Sequence, residues 1–180
     1  KRARKTGTKL ICIDPVNSET AKFCDQWISL RPGSDGALAL ALAHEIIQQQ
    51  LYDAAFLLEH TNMPCLVNVN SGEMLTGNEV FGTESKEQVV YCNSVGAVVA
   101  LADAQAPELN VCQKIQLANG SNCEVASVFS LIENMVDEYS PAQAEQITGV
   151  DAQVIVDLAR QYARADVSAI RVGYGIDRWY

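Results

Sequence analysis

The chain has 180 residues, 48% of them hydrophobic, and its 22 acidic and 13 basic side chains give a formal net charge of −9. Five basic residues lie among the first nine positions, so the rest of the chain is strongly acidic; this argues against a nucleic-acid-binding groove, which needs a basic face. No apolar run reaches the roughly 18 residues of a membrane span, so we expect no direct membrane insertion.

Two short strands followed by polar loops are predicted in the first part of the chain. Residues 9–13 and 27–30 are apolar runs, and each ends next to a proline, which cannot donate to a strand ladder. A short helix of about two turns, capped by Ser18, is predicted between them. Because ligands of open α/β sheets bind beyond the carboxyl ends of the strands, we expect functional residues in the loops at 14–19 and 31–35.

A long apolar helix is predicted from Ser34 to Gln50. Ser34 is its expected N-cap, and the Asp35 carboxylate lies in the first turn, where it complements the helix dipole. The apolar residues occupy most of the circumference, so we expect this helix to be buried between a sheet and a neighbouring layer. A further helix is predicted over residues 52–60.

A β-rich insertion is predicted at about residues 63–124, where short apolar runs alternate with turn signals. The Asn119-Gly120 pair is a strong signal for a tight hairpin turn. We therefore expect a single α/β domain over residues 1–180 that carries a β-hairpin insertion.

Helices and a last strand are predicted after the insertion. Ser140-Pro141 opens a capping box and Gly149 ends that helix, while Asp151 caps the next one. Residues 169–172 form one more apolar run and predict a third strand. Strands at both ends of the chain with helices between them predict a Rossmann-like, mainly parallel sheet flanked by helices.

Asp35 and Asp14 are the leading candidates for ligand contacts. The Asp35 carboxylate can accept two parallel hydrogen bonds from the N1–H and 2-amino groups of guanine, a pair of donors that adenine lacks. It can equally stabilise its own helix by about 0.3–1 kcal/mol, and the local pattern alone favours this simpler role. Asp14 ends a strand, where an acidic residue binds a ribose hydroxyl in dinucleotide folds, or else it caps a turn. Asn17 and Ser18 add polar groups beside it.

A weaker signal lies near the carboxyl end of the chain. Gly173-x-Gly175-x-x-Arg178 matches two thirds of a dinucleotide-binding fingerprint, with Arg178 in place of the third glycine. The glycines let the backbone approach a phosphate, which Arg178 can bind bidentately; a plain strand-ending turn explains the same residues. The cysteines follow no zinc or iron–sulfur spacing and no nucleophile–base arrangement stands out, so we predict no metal ligand and no catalytic residue.

The order of these pieces along the chain resembles the molybdopterin oxidoreductases of the dimethyl-sulfoxide-reductase type. The resemblance runs over essentially the whole chain and is weakest in the hairpin region at about residues 63–124. It rests on a series of short motifs: Asp14-Pro15, Ser18-Glu19-Thr20-Ala21, Asp25-Gln26-Trp27-Ile28, Arg31-Pro32-Gly33-Ser34-Asp35, Tyr139-Ser140-Pro141, Ile147-Thr148-Gly149-Val150 and Gly173-Tyr174-Gly175.

The resemblance implies a Rossmann-like domain that helps to bind a bis(molybdopterin guanine dinucleotide) cofactor with molybdenum or tungsten. It implies guanosine contacts from the first two loops and pterin-side contacts from the last turn, and it favours guanine recognition by Asp35. The family commonly has Arg after Asp-Pro, where this chain has Val16, so one polar contact must come from elsewhere. The implied cofactor-binding residues are Asp14, Pro15, Val16, Asn17, Ser18, Gly33, Ser34, Asp35, Tyr174 and Arg178.

The same resemblance implies that the chain is part of a larger oxidoreductase of anaerobic respiration. The metal ligand and any iron–sulfur cluster would belong to the remainder of the parent chain. The whole enzyme would exchange an oxygen atom or a hydride equivalent with a substrate, and the 180 residues alone would be inactive. Implied partners are that remainder, an iron–sulfur electron-transfer subunit and a membrane anchor subunit, in the periplasm or cytoplasm of a bacterium or archaeon. A nicotinamide-dinucleotide-binding dehydrogenase half and a non-catalytic interaction module remain as alternatives.

Overall fold

The structure is a computed structural model, and it describes residues 5–173. The chain forms two compact units, the first made of residues up to 52 and from 136 onward, and the second of residues 53–135. The predicted insertion at 63–124 falls within the second unit. The grouping of the whole chain into one domain stays a prediction.

The helices and strands follow one another in a mixed order, with strands concentrated in the middle of the chain. They are β1 (Ile11–Ile13), β2 (Gln26–Ile28), α1 (Asp35–Gln48), α2 (Ala54–His60), β3 (Leu66–Asn68), α3 (Gly77–Phe81), β4 (Val89–Cys92), β5 (Ala97–Ala100), β6 (Cys112–Gln116), β7 (Asn122–Ser127), α4 (Val128–Val136), α5 (Pro141–Thr148) and α6 (Ala152–Ala163).

The first unit combines a parallel pair of strands with α-helices. β1 and β2 pair in parallel, with Cys12 opposite Trp27. The chain crosses between them through the 3₁₀-helix Ala21–Phe23, because a parallel pair cannot be joined by a tight hairpin. α1 packs with α5 and α6 on a shared apolar core, which consists of Ile28, Leu30, Leu38, Ala41, Ala144, Val150, Ile155 and Leu158.

The helix ends of the first unit follow their sequence signals closely. Ser140 and Gln143 form the predicted capping box at α5, with Pro141 in the first turn. Gly149 ends this helix with a φ of 75°, in the left-handed region that glycine adopts without strain. The Asp151 carboxylate caps α6 by accepting hydrogen bonds from the backbone N–H groups of Gln153 at 2.8 Å and Val154 at 3.3 Å.

The second unit contains the antiparallel strands. Its larger sheet has the order β3-β7-β6, and β4 and β5 form a separate hairpin. Gly120, with a φ of 83°, lies in the turn between β6 and β7, as the Asn119-Gly120 pair predicted. The largest cluster of buried residues in this unit comprises Leu66, Leu75, Val89, Val111, Cys123 and Val125.

The mixed α/β class with flanking helices is confirmed, while several element predictions are wrong in detail. Residues 169–172 form no strand, and Ile170 is 69% exposed, because an apolar run needs a paired neighbour to become a strand. The helix expected to begin at Ser18 shrinks to the 3₁₀ turn at Ala21–Phe23. The all-round burial expected of α1 is not found: Leu38 and Ala41 are its buried residues. Within residues 5–173, no helix combines the length and the apolar character needed to cross a bilayer.

We predict that Asp151→Ala destabilises α6 by about 1 kcal/mol, because two first-turn N–H groups lose their acceptor. The measurement is amide hydrogen exchange of α6 in the intact protein. Asp157→Ala is the matched control, since Asp157 lies inside the same helix and accepts only from the Gln153 side chain; it should cost roughly 0.2–0.5 kcal/mol. Equal protection losses in the two variants would contradict the capping role.

Candidate functional site

The two loops predicted to bind a ligand leave the same edge of the parallel strand pair. Asp14 directly follows β1, and Ser29 directly follows β2. Strands that run in parallel end at a common edge, and the Asp14 N–H continues the ladder by donating to the Ile28 carbonyl at 3.1 Å. Both loops therefore start side by side in the first unit.

The first loop is folded around the Asp14 side chain. One carboxylate oxygen, Oδ1, accepts a hydrogen bond from the Val16 N–H at 2.8 Å, which forms a local Asx turn. The Ser18 N–H then donates to the Val16 carbonyl at 2.7 Å, and the Ser18 hydroxyl accepts from the Ala21 N–H at 3.3 Å. Asn17 is exposed, and Val16 is 67% exposed. The loop thus keeps a fixed shape while its tip faces solvent.

β2 holds the first loop from the side. The Trp27 indole Nε1–H donates to the Asp14 carbonyl at 2.9 Å. The Ser29 hydroxyl lies 3.5 Å from the Pro15 carbonyl, at the outer limit of a hydrogen bond. These contacts come from the strand that leads into the second loop, so one element supports both loops.

The second loop is a tight turn between β2 and α1. The Ser34 N–H and hydroxyl both donate to the Arg31 carbonyl, at 3.2 Å and 2.6 Å. Gly33 has a φ of 80°, so a side chain at this position would be strained. Ser34 occupies the N-cap position as predicted, but its hydroxyl bonds back to the turn and makes no cap hydrogen bond to α1.

Arg31 fixes the second loop to the end of α5. Its N–H donates to the Thr148 carbonyl at 2.8 Å, and its guanidinium Nη1 donates to the carbonyls of Ile147, at 3.1 Å, and Gln146. A cation is favourable there, because the carbonyls that end a helix carry partial negative charge. No local sequence signal predicts this contact, since the partners are 115 residues apart.

The start of α1 is open to a ligand. Asp35 is half-buried in the first turn, and among the described residues no side-chain acceptor caps this helix. A Cβ built at Gly36 would meet no atom of another part of residues 5–173 within 4 Å, so these residues leave free space beside the first turn. Helix N-termini with free N–H groups attract hydrogen-bond acceptors, while the Asp35 carboxylate attracts donors.

The charges of the site favour a ligand rich in hydrogen-bond donors. Residues 14–19 and 29–35 carry three carboxylates and one cation, Arg31. The Arg31 guanidinium is already bound to the end of α5, which leaves carboxylate oxygens of Asp14 and Asp35 as the main charged groups. Such a site suits amino, ring N–H and hydroxyl groups better than phosphate.

Cys12 lies in β1, two residues before Asp14, and its pKa is raised. Burial raises the pKa of Cys12, and the neighbouring Cys24 thiol and Asp14 carboxylate raise it further, because each disfavours a thiolate. The thiolate is the form that binds metals and attacks electrophiles. The raised pKa therefore disfavours the reactive form of Cys12.

The predicted site residues fall into two groups. Asp14, Pro15, Val16, Asn17 and Ser18 form the first loop, and Gly33, Ser34 and Asp35 form the end of the second; the two loops start at the same edge of the β1–β2 pair. Tyr174 and Arg178 lie outside the described residues. Trp27 and Arg31, which hold the loops, were not among the predicted site residues.

The chain matches the family model described as molybdopterin oxidoreductase over residues 1–180. The alpha subunit of perchlorate reductase from Dechloromonas aromatica (strain RCB) is 32% identical over 212 residues, and the match covers 99% of this chain and 23% of that protein. The alpha subunit of respiratory nitrate reductase from Haloferax mediterranei is 28% identical, and that match covers 97% of this chain and 20% of the relative. The chain therefore spans about a fifth of the length of these relatives.

A solved structure shares the fold. Acetylene hydratase from Pelobacter acetylenicus superposes with a TM-score of 0.55 at 23% identity, over 97% of this chain and 15% of that one. At this level of sequence identity, the structural similarity is evidence for the fold alone, and it supports the α/β arrangement described above.

We predict that Arg31→Ala loosens the second loop and the end of α5 together, at a cost of about 1–2 kcal/mol, because the helix-end carbonyls lose a charged donor. Amide exchange should rise at residues 31–36 and at 146–150 in the intact protein. Arg171→Ala provides a control at an exposed arginine outside any helix or strand. A rise at only one of the two segments would mean that Arg31 does not connect them.

Proposed function

The chain belongs to the molybdopterin oxidoreductase family, and on that premise we propose that its first unit binds the guanosine end of a bis(molybdopterin guanine dinucleotide) cofactor. The observation that carries the proposal is the pair of carboxylates, Asp14 and Asp35, that follow two parallel strands at one edge. Family membership favours this assignment over a nicotinamide-dependent dehydrogenase and over a non-catalytic interaction module.

Asp35 recognises the guanine base in this proposal. Its carboxylate offers two coplanar acceptor oxygens, which match the parallel N1–H and 2-amino donors of guanine. The open space beside Gly36 leaves room for a planar group at the start of α1. Adenine presents no such pair of donors on the corresponding edge, so this contact would discriminate between the purines.

The first loop contacts the ribose. Oδ1 of Asp14 is occupied by the Val16 N–H, which leaves Oδ2 as the acceptor for a ribose hydroxyl. Asn17 and Ser18 supply further polar groups, while Pro15 and Val16 provide the exposed surface of the loop tip. Gly33 and Ser34 form the turn that presents Asp35.

The charge pattern assigns this edge to the nucleoside rather than to the diphosphate. Two carboxylates repel phosphate oxygens, and Arg31, the one cation within residues 14–19 and 29–35, is engaged by the carbonyls that end α5. Cations for the diphosphate must then come from other residues. On the pterin side of the cofactor, our candidates for binding contacts are Tyr174 and Arg178, as the resemblance implied.

The whole protein is proposed to be a molybdenum or tungsten oxidoreductase, because its family members include reductase alpha subunits. When bound, the cofactor supplies the metal that exchanges an oxygen atom or a hydride equivalent with substrate. The metal ligand and an iron–sulfur cluster are expected in the remainder of the parent chain. An iron–sulfur electron-transfer subunit and a membrane anchor subunit are the proposed partners.

We predict that Asp35→Asn lowers the affinity for GMP relative to AMP by about fivefold or more, since one good bidentate contact is worth roughly 1–3 kcal/mol of base discrimination. The measurement is isothermal titration of the intact protein, prepared without its cofactor, with each nucleotide. GMP and AMP carry the same phosphate, so their ratio reports on the base alone.

Asp157→Asn, an equal change of charge at an exposed position of α6, is the control and should leave the ratio unaltered. The assignment of guanine recognition to Asp35 would be wrong if the wild-type protein showed no preference for GMP over AMP. It would also be wrong if the Asp35→Asn variant kept the wild-type preference.

A further inference from the structure

Trp27 makes a hydrogen bond that the proposed function does not use. It lies in the middle of β2, and its indole N–H donates to the Asp14 carbonyl at 2.9 Å. The side chain is nevertheless 39% exposed, so this large aromatic group is not simply filling the core.

The peptide bond between Asp14 and Pro15 has few other supports. Pro15 has no N–H, and the Ser29 hydroxyl, just after β2, approaches the Pro15 carbonyl only at the long distance of 3.5 Å. The Asp14 N–H is held by the Ile28 carbonyl. The direction of the Asp14 carbonyl is therefore set chiefly by Trp27.

The direction of this carbonyl also determines the shape of the Asx turn. Rotation about ψ of Asp14 would move the Val16 N–H relative to the Asp14 carboxylate, and the 2.8 Å bond between them would break. The Asp14 side chain would then lose its fixed orientation. The Trp27 hydrogen bond is thus coupled to the carboxylate through the backbone.

We propose that Trp27 is a positioning residue for the nucleotide site: its indole N–H holds the Asp14 carbonyl and thereby orients the Asp14 carboxylate toward the ribose of the bound guanosine. This inference rests on the proposed function. It also predicts that loss of Trp27 affects the two loops differently. Loss of Trp27 affects sugar binding and leaves base selection at Asp35 intact.

The test is Trp27→Phe in the intact protein prepared without its cofactor, titrated with GMP and AMP. Phe keeps an aromatic ring but lacks the N–H donor. One hydrogen bond of this kind is worth about a threefold to tenfold change in affinity. We expect both nucleotides to bind more weakly by a similar factor, so that the GMP-to-AMP ratio stays at its wild-type value.

Two further variants separate positioning from general destabilisation. Ser29→Ala removes the long contact on the same loop and should change affinity by less than Trp27→Phe. In an Asp14→Ala background, Trp27→Phe should have almost no further effect on affinity, because the group that it positions is gone. Amide exchange in Trp27→Phe should rise at residues 16–18 and stay unchanged in α6.

The outcomes distinguish this inference from the function on which it rests. Unchanged nucleotide affinity in Trp27→Phe, full additivity with Asp14→Ala, or raised exchange in α6 would each overturn the role of Trp27. If Asp35→Asn still altered the GMP-to-AMP ratio, the proposed function would stand without it. If wild-type protein bound neither nucleotide, the proposed function itself would fail, and the role of Trp27 with it.

Discussion

The parallel pairing of β1 with β2 is the constraint on which the candidate site depends. Parallel strands end at one edge, and this brings Asp14 and the start of the loop to Asp35 together although the two carboxylates are separated along the chain. An antiparallel pair would place the two loops at opposite ends. The three-residue strands are short, so the loops need further support to keep a defined shape.

That support comes from two side chains, each of which holds one of the loops through hydrogen bonds. Trp27 reaches from β2 to the first loop, and Arg31 reaches from the second loop to the carbonyls that end α5. Because Arg31 is used in this way, the edge keeps its acidic character and offers carboxylates to a ligand. A nucleoside, with its ring N–H, amino and hydroxyl donors, fits this character better than a diphosphate does.

Local signals in the sequence were sufficient for the elements whose formation depends on neighbouring residues. The proline-marked strand ends, the Ser140 capping box, the Asp151 cap and the Asn119-Gly120 turn are examples, since each involves residues within a few positions of one another. Contacts across the chain could not be predicted in this way. Arg31 and α5 are far apart in sequence, and the apolar run at 169–172 read as a strand because periodicity cannot show whether a pairing partner exists.

The positions of the two candidate loops were predictable to a similar extent, while the roles of their residues stay predictions. The rule that ligands bind beyond strand ends indicated the loops that contain Asp14 and Asp35, and the resemblance to a family favoured guanine recognition by Asp35. The side chains that hold these loops were missed, because a tryptophan in a strand and an arginine after it have many possible roles. Val16, where the resemblance led us to expect Arg, gives the first loop an exposed apolar side chain at its tip.

The most direct measurement is an experimental structure of the intact, cofactor-loaded protein. Our account predicts that the guanine N1 and 2-amino nitrogens lie within hydrogen-bond distance of the Asp35 carboxylate, with a ribose hydroxyl at the Asp14 carboxylate. A structure in which other protein groups cover both loops, or in which the guanosine binds away from this strand edge, would contradict it.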